Sequence, residues 1–170
     1  MRRLLALLLL AAGGVHAASV ETRAVALDGQ ATVVDLYLPD AAPPRGLAVI
    51  AHGFTRSRAR HGVLAGRLAA EGFAVAVPDL PHWLRHAANA DAIVALVKAI
   101  EPEHGLDGRP VVLIGTSAGG LASLLATDRV PRLALWIGLD PVDTLGLSEG
   151  AARGLQAPAL VLRAPSGACN

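Results

Sequence analysis

The pattern of apolar and polar positions predicts strands alternating with helices along most of the chain. Two alternating segments, 20–27 and 31–38, flank Asp28-Gly29, a dipeptide typical of a hairpin turn. Short continuous apolar runs, typical of strands covered on both faces, occupy 47–51, 73–77, 111–114, 133–137 and 159–162. Helical patterns occupy 63–71, 90–100 and 118–126. This alternation predicts an α/β domain whose mostly parallel sheet carries helices on both faces.

The first seventeen residues have the pattern of a secretory signal peptide. Arg2 and Arg3 precede an apolar stretch over 4–12, which is too short to span a bilayer. Val15-His16-Ala17 supplies small residues for cleavage before Ala18. We therefore expect a signal peptide over 1–17, one domain over 18–170, and a secreted or periplasmic bacterial protein without stable membrane insertion after cleavage. The alternative is an uncleaved N-terminal anchor.

Composition narrows the partners of the mature chain. Apolar residues make up 53% of the 170, which is enough for one domain with a substantial core. Loss of Arg2 and Arg3 changes the formal net charge from +1 to −1. This near-neutral balance gives no electrostatic reason to expect a nucleic-acid partner. Cys169 is the only cysteine, so no disulfide is possible within these 170 residues, and the partner of Cys169 stays open.

A G-x-S-x-G motif, Gly115-Thr116-Ser117-Ala118-Gly119, joins a predicted strand to a predicted helix. This context is typical of a nucleophile elbow, in which a sharp turn lifts the serine hydroxyl above the sheet edge. Glycines permit the tight turn because they carry no Cβ. The motif predicts acyl transfer through an ester on Ser117, a reaction that needs no metal and no organic cofactor.

Serine chemistry also needs oxyanion donors, a base and a carboxylate that orients the base. We expect the backbone N–H groups of Ala118 and of Phe54, in the loop His52-Gly53-Phe54, to hold the oxyanion. The expected acid is Asp140, which follows the strand 133–137, with Asp143 as a competitor. A loop Asp that caps the next segment is the structural alternative.

These residues resemble a known superfamily. The elbow over 115–119, His52-Gly53-Phe54 and Val77-Pro78-Asp79 are similar to motifs of the α/β-hydrolase fold, and more narrowly to chlorophyllase, dienelactone-hydrolase-like and polyester-hydrolase-type secreted serine esterases. The resemblance implies a serine hydrolase acting on small or polymeric carboxylic esters. It also favours Asp140, because in chlorophyllases and pancreatic-type lipases the acid follows this strand.

The same resemblance implies a catalytic histidine after the acid. All six histidines precede Ser117, and they are His16, His52, His61, His82, His86 and His104. Family members continue through another strand and helix, so we expect a fold that lacks its last strand and helix. Either the sequence is incomplete and the remainder carries the base, or the product is truncated and inactive. The second case implies a non-catalytic binding protein of the same fold.

Four further features bear on ligands. His82 and His86 have i, i+4 spacing, but no third ligand has convincing spacing, so we expect no metal. The arginines after the His-Gly-Phe loop form either a solvated charged loop or a contact for anionic substrate groups. Trp83 either lines the substrate pocket or packs in the core or rim. The 17-residue connection 141–157 is too short for a helical cap domain, which predicts an open cleft above the nucleophile.

Overall fold

A computed structural model describes residues 19–40 and 43–165 of the chain. The predicted signal peptide and Cys169 lie outside the described residues. The strands are β1 (Ser19–Leu27), β2 (Gln30–Leu38), β3 (Leu47–Ala51), β4 (Ala74–Pro78), β5 (Val111–Thr116), β6 (Leu133–Leu139) and β7 (Ala159–Leu162). The helices are α1 (Gly62–Ala70), α2 (His86–Glu103), α3 (Ala118–Leu125) and α4 (Leu147–Gly154), with 3-10 turns at Arg58–His61 and Thr127–Arg129.

The seven strands form one sheet in the order β1-β2-β4-β3-β5-β6-β7. The β1–β2 and β2–β4 pairs are antiparallel, and the other four pairs are parallel. The sheet confirms the predicted mostly parallel α/β architecture. The hairpin around Asp28-Gly29 is also confirmed, with Leu27 paired to Gln30 and both turn residues at positive φ.

Helices cover both faces of the sheet because successive strand residues point to opposite sides. Leu47, Val49 and Ala51 face the larger core, where α2 and α3 pack. Ala48 and Ile50, from the same strand, face the smaller core beneath α1. The central strands therefore read as continuous apolar runs, as a strand buried on both faces requires.

The structure differs from the predicted elements at several boundaries. Helix α2 begins four residues before the predicted start at 90. The prediction missed its first turn because His86 and Asn89, which are buried polar residues, interrupt the apolar pattern. Pro78 is the last residue of β4 rather than the residue that stops it. Its missing N–H costs little at a strand end. Strands β5 and β6 each extend two residues further than predicted, to Thr116 and Leu139.

One short helix, α4, was not predicted. It lies within the connection 141–157, and none of its residues is buried. It is only eight residues long and contains Gly150 and Gly154, and glycine lowers helix propensity. Among the described residues, no helix is long and apolar enough to cross a membrane.

Candidate active site at the carboxyl edge of the sheet

Ser117 occupies a sharp turn between β5 and α3. Its backbone has φ 50° and ψ −117°, a region that residues other than glycine rarely adopt. The Ser117 N–H donates to the carbonyl of Leu139 at 3.0 Å, which ties the turn to the end of β6. The Ser117 carbonyl accepts from Gly120 N–H at 2.9 Å. The side chain is partly exposed at the sheet edge, in the geometry expected of a nucleophile elbow.

Two glycines of the motif allow this turn to fit the sheet. A Cβ on Gly115 would overlap the carbonyl of Gly119 and the hydroxyl of Ser123. A Cβ on Gly119 would overlap the carbonyl oxygens of Ala51 and His52, at the end of β3. The motif therefore requires glycine at both positions for steric reasons, independently of any chemistry.

The loop after β3 lies directly against Ser117. A Cβ on Gly53 would stand 3.3 Å from the Cβ of Ser117 and 3.9 Å from its hydroxyl oxygen. The next turn is closed by Arg56 N–H donating to the Gly53 carbonyl at 3.1 Å. Phe54 and Ala118, the two expected oxyanion donors, line the same cleft of about 200 Å³ beside the nucleophile.

His52 holds this loop in place. The ring Nε2 accepts the N–H of Leu80 at 2.8 Å, so the proton must be on Nδ1, which lies 2.9 Å from the Gly53 carbonyl. The ring is buried and joins the loops after β3 and β4. Both ring nitrogens are engaged by backbone groups, which gives His52 a structural role in this loop.

Asp140 lies at the end of β6, next to the elbow. Thr116 pairs with Leu139 across the two strands, which puts Asp140 at the same edge as Ser117. Asp140 has φ 49°, and its N–H donates to the Leu162 carbonyl at 2.6 Å. Arg163, just beyond β7, places its Nε 3.6 Å from a carboxylate oxygen of Asp140. The backbone of Asp140 is thus tied to the end of β7, and its carboxylate lies near Arg163.

Asp143 is engaged differently. Its carboxylate accepts the backbone N–H of Ser148 at 2.9 Å, in the first turn of α4. This hydrogen bond is the main cause that lowers the pKa of the Asp143 carboxyl. Asp143 is therefore bound to the first turn of α4, although the N-cap residue of that helix is Gly146.

The remaining described histidines are spread over the molecule. His82 lies 3.5 Å from Asp28 at the hairpin turn, His86 is buried at the start of α2, and His104 lies near Glu103. His61 lines a groove with Thr116 and Gly53 on the flank of the elbow. Burial, with a smaller contribution from His52, lowers the pKa of His61. Within the described part of the chain, no three His, Cys, Asp or Glu residues cluster as metal ligands.

The three arginines after the His-Gly-Phe loop do not act alike. Arg58 bonds Asp35 at 3.0 Å and Asp79 at 2.5 Å, and both contacts raise the pKa of its guanidinium. Asp79 also accepts the Arg58 backbone N–H, so this pair braces the loop against the end of β4. Arg56 and Arg60 line the groove that contains His61.

A buried hydrogen-bond network, which was not predicted from the sequence, lies beneath the elbow. The indole N–H of Trp136 on β6 donates to the hydroxyl of Ser123 at 3.0 Å, and that hydroxyl donates to the Gly120 carbonyl. Ser123 and Trp136 are both buried. The only signal in the sequence was a polar residue in an otherwise apolar helix, which favours a buried hydrogen bond.

An aromatic pair forms the lip of the cleft. Trp83, in the loop after β4, meets Phe54 edge-on, with ring centroids 5.1 Å apart and planes at 89°. Leu80 and Pro81 add apolar lining. Trp83 therefore lines the pocket rather than packing in the core.

A family model matches part of the chain. The family model for esterase PHB depolymerase matches residues 84–163, which include the elbow and Asp140. No sequence among the curated proteins matches the chain.

Solved structures share the fold. Dienelactone hydrolase from Anabaena variabilis is 19% identical, with a TM-score of 0.66 over 89% of this chain and 88% of that one. A thermostable carboxyl esterase from Bacillus coagulans is 17% identical, with a TM-score of 0.62 over 72% of this chain and 44% of that one. Est1E from Butyrivibrio proteoclasticus is 25% identical, with a TM-score of 0.61 over 71% and 51%. The chain thus spans about half the length of the last two, and the structural matches agree with an α/β-hydrolase fold.

Proposed function

We propose that this chain, a member of the α/β-hydrolase superfamily, hydrolyses carboxylic esters through a covalent acyl-enzyme on Ser117. The observation that carries the proposal is the strained turn at Ser117, with Gly53 packed against it and Phe54 and Ala118 lining one cleft. Backbone strain of this kind costs about 1–3 kcal/mol and is concentrated at active sites. The matches to the esterase PHB depolymerase model and to a carboxyl esterase structure also support an ester substrate.

The proposed reaction proceeds in two steps. The Ser117 hydroxyl oxygen attacks the ester carbonyl carbon while a base takes its proton, and the N–H groups of Phe54 and Ala118 stabilise the oxyanion. Collapse of the tetrahedral intermediate breaks the bond to the alcohol oxygen, which leaves with a proton. Water then hydrolyses the acyl-enzyme by the same route in reverse.

Asp140 is proposed to orient the base and to stabilise its positive charge. Its position at the end of β6, next to the strand that carries the nucleophile, supports this role. The engagement of Asp143 with α4 supports Asp140 further, because the competing carboxylate already has a structural partner.

Substitution of Ser117 by alanine tests the proposal. We expect hydrolysis of p-nitrophenyl butyrate to fall by at least about 10³-fold, because the nucleophile is lost. Ser57→Ala is the matched control, since Ser57 lies in an exposed loop and its side chain makes no capping hydrogen bond. A fluorophosphonate probe should add its mass to Ser117 in the wild-type protein.

The alternative, a non-catalytic binding protein of the same fold, gives the opposite result. It predicts background hydrolysis by the wild type and no labelling of Ser117 by the probe. Equal turnover by wild type and Ser117→Ala would contradict the proposed mechanism.

We also propose that the protein works outside the cytoplasm, since the pattern over 1–17 is typical of a cleaved secretory signal. N-terminal sequencing of periplasmic protein should then begin at Ala18. A membrane-bound product beginning at Met1 would favour the uncleaved anchor.

A further inference from the structure

Trp83 combines two unfavourable features. Its side chain is 73% exposed, although burying an indole is strongly favourable in water. Its backbone has φ 36°, in the left-handed region that residues with a Cβ avoid. A residue that is both exposed and strained persists only where the surroundings hold it. The structure shows which neighbours do so.

Asn89 on α2 fixes the loop that carries Trp83. Its side chain is 3% exposed, and its amide oxygen accepts the backbone N–H of His82 at 3.0 Å. Its amide nitrogen donates to the carbonyl of Trp83 at 3.4 Å. One buried amide therefore bonds the backbone on both sides of the strained residue. The same side chain lines the cleft.

The ring of Trp83 is directed by Phe54. The edge-on contact at 5.1 Å joins the loop after β4 to the loop that carries the expected oxyanion donor. Phe54 is itself 41% exposed, so the pair presents a continuous aromatic surface at the mouth of the cleft. Leu80 and Pro81 continue this apolar surface inward.

We propose that Trp83 is the specificity-determining residue of the cleft, selecting esters with a planar aromatic group, and that Asn89 is the residue that positions it. An aromatic ring gains more from a flat indole partner than a short alkyl group does, because offset or edge-on ring contacts add to the area buried. The inference rests on the proposed function only in taking the scissile ester to lie beside Gly53.

Matched esters test the role of Trp83. We expect Trp83→Ala to lower kcat/KM for methyl 2-naphthoate about tenfold, as the loss of one ring contact and its buried area predicts, and to change it less than about twofold for methyl acetate. Leu84→Ala is the matched control, because Leu84 is 50% exposed in the same loop and does not line the cleft. An equal loss for both esters, or an equal loss in the control, would overturn the inference.

A positioning role for Asn89 is tested without relying on rate alone. Asn89→Ala should raise KM for methyl 2-naphthoate several-fold with little change in kcat. In a Trp136→Phe background, where Trp83 is the only tryptophan left, it should also lower the fluorescence anisotropy of the indole. Asn89→Asp keeps the acceptor for His82 N–H and should restore part of the anisotropy. Unchanged anisotropy in Asn89→Ala would show that Asn89 does not position the ring.

Binding separates the two hypotheses. Equilibrium dialysis of 2-acetonaphthone, a ketone that cannot be hydrolysed, is carried out on Ser117→Ala with and without Trp83→Ala. Weaker binding without Trp83 supports the aromatic subsite even if the wild type hydrolyses no ester, an outcome that would overturn the proposed function alone. Equal binding by both variants would overturn the subsite alone.

Discussion

At the residue scale, the two carboxylates after β6 show how neighbouring residues of one type acquire different roles. Asp140 is held at the strand end beside Arg163, near the nucleophile turn. Asp143 accepts a hydrogen bond from the first turn of α4. The sequence named both residues and favoured Asp140 through resemblance. It could not show that Asp143 was engaged, because α4 is short, contains two glycines and was not predicted.

This difference predicts different effects on activity and stability for substitutions of the two residues. Asp140→Asn should lower kcat for p-nitrophenyl butyrate by about 10³- to 10⁴-fold, because an amide cannot stabilise a protonated base. Asp143→Ala should leave kcat nearly unchanged and lower the melting temperature, since Ser148 N–H loses its acceptor. Kinetics and thermal unfolding of both variants decide the assignment. A large loss of kcat in Asp143→Ala, with Asp140→Asn active, would reverse it.

At the element scale, the site depends on how closely α3 approaches β3. Gly119 in the first turn of α3 meets the carbonyls at the end of β3, with no room for a methyl group. The G-x-S-x-G motif predicted this glycine, and the structure supplies the physical reason. The sequence did not reveal which element would press against it, because that contact joins residues more than sixty positions apart.

Two Gly→Ala substitutions in helices should therefore have opposite signs. Gly119→Ala should destabilise the fold by about 3 kcal/mol or more, because backbone atoms of β3 must move. Gly66→Ala, in α1 with open space around its Cβ position, should stabilise it by up to about 1 kcal/mol. Urea unfolding monitored by circular dichroism measures both. Equal effects would mean that the close approach of α3 to β3 has no energetic consequence.

At the scale of the whole molecule, His61 links the site to overall stability. It is the last residue of the 3-10 turn before α1, and it lines the groove beside the elbow. Because its folded pKa is lowered, mainly by burial, the folded protein binds a proton less readily than the unfolded chain does. The stabilisation is present above the unfolded pKa of 6.5 and is lost as pH falls through the lower folded value.

We therefore expect acidification to destabilise the wild type more than a variant without this imidazole. The melting temperature should fall between pH 7.5 and pH 5, and it should fall less in His61→Gln. Differential scanning calorimetry of both proteins at the two pH values measures the difference. Identical pH dependence would show that His61 does not contribute to acid sensitivity.

The order and type of most elements followed from the sequence because their signals are local. A strand buried on both faces has a continuous apolar sequence, and Asp28-Gly29 is a dipeptide typical of a hairpin turn. The turn at Ser117 could also be predicted, because two glycines around a serine between a strand and a helix are typical of a nucleophile elbow. Its residues were therefore named before any contact was known.

The tertiary structure alone decided which residues share a site. His52 was expected in the loop after β3, but its bond to Leu80 N–H depends on a loop 28 positions away. Asn89 became a functional candidate only when α2 folded under the loop after β4, and for Trp83 the same contact decided between the alternatives that the sequence had left open. Secondary structure depends largely on neighbouring residues, so the sequence predicts it. A site depends on strand order and helix packing, which bring distant loops to one edge of the sheet.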